Sequence, residues 1–134
     1  MHDAPRILIV DDSEDDVLLA AAQIRRWARG AVIRRVDNPG DFAAALQAER
    51  WDLVLCDHNM PRFDSERALE LLRDSHKEAP FFVYSGQFTP AQRAQAVREG
   101  ASGFVDKRDL AGLMRAVDAT INTPAELATD PALR

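Results

Sequence analysis

Three acids, a hydroxyl and a lysine stand out because each follows or ends a run of apolar residues. Asp11 and Asp12 follow Ile7-Leu8-Ile9-Val10, Asp57 follows Leu53-Val54-Leu55-Cys56, Ser85 ends Phe81-Phe82-Val83-Tyr84-Ser85, and Lys107 follows Gly103-Phe104-Val105-Asp106. If those runs are neighbouring strands, the carboxylates of Asp11, Asp12 and Asp57 crowd one edge of a sheet. Like charges so close repel, and a fold keeps them only where something offsets the charge. A hard divalent cation with oxygen ligands does so, and Mg²⁺ takes few protein ligands, keeps waters and leaves room for a phosphoryl group. The Ser85 hydroxyl and the Lys107 ammonium on the far side would hold phosphoryl oxygens. A carboxylate nucleophile, a metal and a lysine together suit phosphoryl transfer onto Asp57.

The elements that must position these groups are legible from periodicity. The Leu53 to Cys56 run is apolar without alternation, as in a strand buried on both faces of a parallel sheet, and such sheets place ligand sites at the carboxyl ends of their strands. Strands are expected over residues 6–10, 31–36, 51–57, 81–85 and 103–106. Between them fall helical patterns. Ser13 is a plausible N-cap, followed by Glu14, Asp15 and Asp16 where the helix dipole favours anions. Val17, Ala21, Ile24 and Ala28 form its inner face, and Gly30 reads as its C′ residue. Asn38-Pro39-Gly40 reads as a turn before a helix from Asp41, with Phe42, Ala45 and Leu46 inward. Asp64 or Ser65 caps a third helix with Ala68, Leu71 and Leu72 inward. Thr89-Pro90 reads as N-cap and N1 of a short Ala-rich helix closed by Gly100. Its Ala94 and Val97 are expected to face the core, with a modest hold. The last helix is expected over 109–121, with Leu110, Leu113, Met114, Val117 and Ile121 inward. Five strand–helix units with short connections predict an α/β fold, a parallel sheet covered by helices on both faces with right-handed crossovers.

Composition narrows the function classes. At 134 residues a single domain is expected. Residues 1–5 read as a flexible N-terminus, 6–122 as the domain and 123–134 as a tail or linker. A net charge of −5 argues against nucleic acid as a direct partner. The one cysteine, Cys56, excludes an internal disulfide and a thiolate cluster, and its place in an apolar run reads as a buried, inert thiol. No apolar stretch reaches the roughly 20 residues of a membrane span, and the first residues lack a signal-peptide pattern. A cytoplasmic protein without membrane association is the expectation.

Taken together, Asp11-Asp12 after the first apolar run, Asp57 with Met60-Pro61, Ser85-Gly86, and Phe104 three residues before Lys107 resemble the receiver domain of a two-component response regulator. The resemblance covers residues 6–122. It implies a flavodoxin-like (βα)₅ fold with strand order 2-1-3-4-5. It also implies a phosphoryl group accepted on Asp57 from a histidine kinase or phosphotransfer protein. Mg²⁺ would be held by Asp12 and Asp57, by Asp11 through water, and by the backbone carbonyl of Asn59, with Ser85 and Lys107 completing the site. Ser85 and Phe104 would form a switch: phosphorylation draws Ser85 in, and Phe104 rotates into the vacated space. Phe has no hydroxyl to satisfy when buried, so the inward state is expected to be populated without phosphate as well. The surface of the fourth helix, fifth strand and fifth helix would then contact a downstream protein or a second copy in a homodimer.

Two positions depart from the family's pattern. Ser65 stands where the family often has Gly, and Arg108 follows Lys107 where many members have Pro, so both connections are expected to differ. The run from Ser85 to Gln87 and that from Gly100 to Lys107 are more like receivers that serve sensor kinases. The alternatives are a Mg²⁺-dependent phosphatase using Asp57, disfavoured by Asn59 in place of a second acid, and a binding module that is never phosphorylated. His58 is expected to point into solvent beside the site, His2 and His76 show no ligand pattern, and Trp27 and Trp51 are expected to pack.

Overall fold

The computed structural model describes residues 4–122 apart from 59, 62 and 87, with residues 110 and 120–122 described by their backbone. The elements alternate as β1 (Arg6–Val10), α1 (Glu14–Trp27), β2 (Val32–Val36), α2 (Pro39–Ala48), β3 (Leu53–Cys56), α3 (Ser65–Asp74), β4 (Phe81–Ser85), α4 (Pro90–Glu99), β5 (Gly103–Asp106) and α5 (Leu110–Asn122). All pairings are parallel and the sheet order is β2-β1-β3-β4-β5. The fold is therefore the flavodoxin-like α/β architecture that the resemblance implied. Of residues 1–5, expected as a flexible N-terminus, 1–3 lie outside what is described, whereas Pro5 is buried and its carbonyl accepts from Val32 N–H at 2.8 Å, continuing the β1–β2 pairing. The tail over 123–134 and the inward Leu110 and Ile121 also lie outside what is described.

The unbroken apolar run of β3 is explained by its two faces. Val54 and Cys56 join a core with Phe42, Leu46, Phe63, Leu69 and Leu72, under α2 and α3. Leu53 and Leu55 join a second core with Val17, Ile24, Leu113 and Val117, under α1 and α5. β1 divides in the same way, Leu8 and Val10 to the first side and Ile7 and Ile9 to the second. All eight of these strand residues are buried. With both faces covered, the strand ends are left as the sheet's route to solvent, and polar groups collect there. Cys56 is fully buried, and burial pushes its thiol well up, as an inert thiol requires.

Several local expectations are corrected. α2 starts at Pro39 because Asn38 caps it, its side chain accepting from Asp41 N–H at 2.8 Å; Asn-Pro here does what Thr-Pro does at α4. Gly30 is not a left-handed C′ residue: α1 ends at Ala28, at φ −127° and ψ 88°, whose N–H donates to the Ile24 carbonyl at 2.7 Å. Gly30 instead permits a close approach, since a Cβ there would meet the Ala4 Cβ at 3.1 Å. Trp27 is 44% exposed and does not pack in the core, whereas Trp51 is buried and donates Nε1–H to the Ala45 carbonyl at 2.9 Å.

Ala94 and Val97 are exposed, and α4 buries none of its residues. A helix so poor in large apolar side chains does not dictate its own rotation; its ends do. Thr89 forms a capping box with Gln92. At the other end Gly100 N–H donates to the Val97 carbonyl and Ala101 N–H to the Ala96 carbonyl, the paired bonds of a Schellman motif, with Gly100 at φ +108°. Buried Ala101 then turns Ala96, not Ala94, toward the core.

Candidate functional site

Sheet hydrogen bonding carries past the strand ends and fixes the expected groups. Asp57 N–H donates to the Val10 carbonyl at 2.8 Å, and Asp11 N–H donates to the Val36 carbonyl at 3.0 Å. Lys107 N–H donates to the Ser85 carbonyl at 3.0 Å. Asp11, Asp57 and Ser85 are buried, while Asp12 is exposed. One oxygen each from Asp11, Asp12 and Asp57 lies within 4.8 Å of the others. The three acids expected at one edge are thus together there; the Asn59 carbonyl expected beside them lies outside the described residues.

Lys107 reaches into this cluster. Its Nζ lies 2.7 Å from Asp11 Oδ2, 2.7 Å from Asp16 Oδ2 and 3.2 Å from Asp57 Oδ2. An ammonium carries three N–H donors, so three carboxylates can each take one in a charge-assisted bond. Burial pushes the Asp11 carboxyl up, and the hydrogen bonds from Lys107 and from Ser13 N–H oppose it. For Lys107 burial works downward, but the bonds to Asp11 and Asp16 and the charges of Asp11 and Asp57 outweigh it, so its net shift is upward. These directions are compatible. Asp11 is fully desolvated and shares its one ammonium, whereas Lys107 gathers three acids and keeps an edge toward solvent. Lys107 Nζ also sits 5.6 Å from the centroid of the Tyr84 ring. Burial pushes the Tyr84 phenol up, the Lys107 charge opposes it and the nearby acids add to it, leaving it at about 12.

The donor set fits a hard divalent cation: carboxylate oxygens only, two of them buried, gathered around one point. The lysine that now lies across Asp11 and Asp57 shows that the site demands positive charge. On the open side, a cleft of about 330 Å³ runs past Asp12 between Asn38 and Met60.

At each of the two positions that depart from the family's pattern, Ser65 and Arg108, the structure pairs the side chain with a neighbour. His58 does not point into solvent; it is half-buried, with Nδ1 3.0 Å from the Oγ of buried Ser65. Arg108 folds back on Asp106, its backbone N–H and its Nε–H donating to Oδ1 at 2.8 and 3.0 Å and its Nη2 to Oδ2 at 2.8 Å. Phe104 is half-buried, its ring centroid 5.2 Å from that of Phe88. The Arg93 guanidinium lies 4.5 Å from the Phe88 centroid and 5.3 Å from that of Phe104. Phe88, Arg93 and the Asp16 contact with Lys107 were not anticipated. For Asp16 a signal existed: it is the third residue after the Ser13 cap, and side chains there lean back toward the helix start.

Residues 7–118 match the family described as the response regulator receiver domain. The chain belongs to this family. It is 30% identical over 105 residues to the two-component response regulator ORR41 of Oryza sativa subsp. japonica, covering 76% of this chain and 82% of that one. It is 36% identical over 75 residues, 56% of this chain, to the sensor histidine kinase GacS of Pseudomonas protegens, of which the match spans 8%. Among solved structures, the receiver domain of sensor histidine kinase PA1611 from Pseudomonas aeruginosa PAO1 superposes with TM-score 0.74 at 20% identity, over 90% of this chain and 99% of that one. That structure carries a magnesium ion coordinated in its active site cleft. The receiver domain described here is therefore one of two-component phosphorelay signalling, a phosphoacceptor class whose members are phosphorylated by histidine kinases.

Proposed function

We propose that Asp57 is the phosphoacceptor of this receiver domain, and that Asp12 and Asp57, Asp11 through water and the Asn59 carbonyl hold Mg²⁺ beside it. The observation that carries the reading is the Lys107 ammonium bonded to Asp57 at the carboxyl end of the central strand, with Asp11 and Asp12 alongside. Mg²⁺, when bound, supplies positive charge to the acids and to the phosphoryl oxygens. An Asp57 oxygen attacks the phosphorus of a phosphohistidine in a histidine kinase or phosphotransfer protein. The bond from phosphorus to the imidazole nitrogen breaks, and its electron pair stays on nitrogen. Lys107 and Ser85 then donate to the new phosphoryl oxygens, as an ammonium and a hydroxyl do. The domain spans residues 6–122, with 1–5 and 123–134 as flanking segment and tail or linker. It acts on no substrate beyond its own phosphoryl group.

Ser85 moving toward the phosphoryl group opens space for Phe104, and the α4–β5–α5 face changes with it. That face is the proposed contact for a downstream protein or a second copy. α4, which buries no residue, is suited to shift. The reading is tested by incubating the chain with a small phosphodonor and Mg²⁺ and counting phosphoryl groups by mass. One group is expected, and Asp57→Asn should abolish it. Modification that maps to His58 overturns the assignment.

A further inference from the structure

Asp16 lies outside the acid cluster, yet its bond to Lys107, at 2.7 Å, is as short as that of Asp11 and shorter than the 3.2 Å to Asp57. The cap places it there: Asp16 N–H donates to Ser13 Oγ at 3.2 Å, which fixes the first turn of α1 beneath the lysine. Its side chain is 41% exposed, against 0% for Asp11, so burial does not oblige it to find a cation.

Lys107 and a divalent cation compete for the same carboxylates. The ammonium lies on Asp11 Oδ2 and Asp57 Oδ2, and a cation drawn to that cluster places two further positive charges beside it. Lys107 must loosen its hold on both acids while staying near Asp57, where a phosphoryl group arrives. Its backbone is tied to β4 through the Ser85 carbonyl, so the ammonium can only swing among acceptors already within reach. Among the described residues, Asp16 is the carboxylate bonded to Nζ that is not one of the three clustered acids. We propose that Asp16 is a positioning residue for Lys107, retaining the ammonium as Mg²⁺ takes Asp11, Asp12 and Asp57. Metal loading is easier with Asp16 present because the displaced lysine keeps a partner, and the lysine stays poised for the phosphoryl oxygens. This rests on the reading of the acid cluster as a Mg²⁺ site.

The test is a double-mutant cycle on Mg²⁺ affinity, measured by titration calorimetry on the full chain at fixed ionic strength. Asp16→Asn should weaken Mg²⁺ binding by about three- to tenfold, the scale of coupling between contacting charges. In the Lys107→Ala background, which should itself bind Mg²⁺ more tightly, the same substitution should cost clearly less. A simple through-space attraction between Asp16 and the cation makes the opposite prediction, because an acid freed from its lysine attracts the metal at least as strongly. An equal or larger loss in the Lys107→Ala background therefore overturns the proposal. Lys107→Gln, which keeps a donor for Asp11, replaces alanine if that variant does not fold. Wild-type chain that takes up no Mg²⁺ overturns the metal site itself. Wild-type binding that Asp16→Asn leaves unchanged overturns the role of Asp16 alone.

Discussion

Lys107→Ala isolates what holds the acid cluster together before metal arrives. Asp11 is fully buried, and its carboxylate is held by Lys107 Nζ at 2.7 Å and by Ser13 N–H at 2.9 Å. Removing one partner of a buried ion pair typically costs about 3–5 kcal/mol. Lys107 is 15% exposed and the Ser13 bond remains, so the lower end, about 3 kcal/mol, is the expectation. For a domain of this size that corresponds to a fall in Tm of roughly 10 °C. Urea unfolding with a chelator present measures it directly. Mg²⁺ should then close much of the gap. A ligand at a hundred times its Kd adds about 2.7 kcal/mol to the folded state, and the variant offers the metal its acids without a competing ammonium. The pH dependence has a definite sign. Burial already pushes the Asp11 carboxyl up, and without the lysine it should rise further. A carboxyl raised in the folded state costs stability above its folded pKa and stops doing so once protonated. The deficit of the variant should therefore shrink as pH falls through that range. Lys107 is raised in the wild type, so its own contribution is complete below the unfolded lysine value of about 10.4 and fades only as pH rises beyond it. A variant within about 0.5 kcal/mol of wild type in chelator, or a deficit that Mg²⁺ leaves unchanged, refutes this account of the cluster.

Three further outcomes are expected. Gly100→Ala forces φ +108° on a residue with a Cβ, 3.2 Å from Arg73 Nη2, and should lower stability by about 1–2 kcal/mol in urea unfolding; a neutral result would mean that the α4 terminus is not held as described. Tyr84 is the one tyrosine, so alkaline difference absorbance reports it alone. Its half-point should lie near 12 in the folded state, and because that pKa is raised, its contribution to stability is complete below about 10 and is lost as pH climbs toward 12. A half-point near 10 with the fold intact would contradict its burial. On phosphorylation, amide shift changes should concentrate between residues 85 and 113, and metal-free amides of α4 should exchange faster than those of α3, which buries four residues. Changes centred on α1 that leave Phe104 unaffected would rule out the Ser85–Phe104 switch.

The sequence was most legible where backbone geometry leaves few choices. A run such as Leu53 to Cys56, flanked by turn residues and too short for a helix, reads as a strand covered twice, and once five strands alternate with helices in one parallel sheet, the polar residues that close them meet at one edge. Asp11, Asp57, Ser85 and Lys107 follow from that alone. Legibility fell where the outcome depends on which way a weakly determined element turns. α4 carries alanines on two faces, so only its caps decide that Ala96 turns in and Val97 out. It fell again where one side chain answers another across the fold. His58 and Ser65 are seven residues apart and joined through a loop whose path no periodicity predicts. Lys107 and Asp16 are ninety-one apart, and that the lysine would bond a third acid follows from where α1 begins, not from either residue.

The two departures from the family's pattern obey one physical rule. Ser65 adds a hydroxyl where the family often has none, in a buried position, and a buried polar atom must be hydrogen-bonded or it destabilises. His58 supplies the partner, and among the described residues no buried side-chain polar atom lacks one. Arg108 brings an N–H where a proline would have none, directly after the lysine that the site depends on. Asp106 accepts that N–H and the guanidinium together, which draws the Asp106 carboxyl down to about 2. The β5–α5 turn, closed by the bond from Asp109 N–H to the Asp106 carbonyl at 2.9 Å, is thus braced by a surface ion pair, where a proline would have braced it by restricting the backbone. An exposed pair is screened by salt and a ring is not. The set of the Lys107 backbone in this chain should accordingly loosen at high ionic strength. Amide exchange at Arg108 and Asp109 should then rise with added salt while exchange in β1 and β3 does not. A salt response that is uniform across the sheet would show that this connection is held by packing and not by charge.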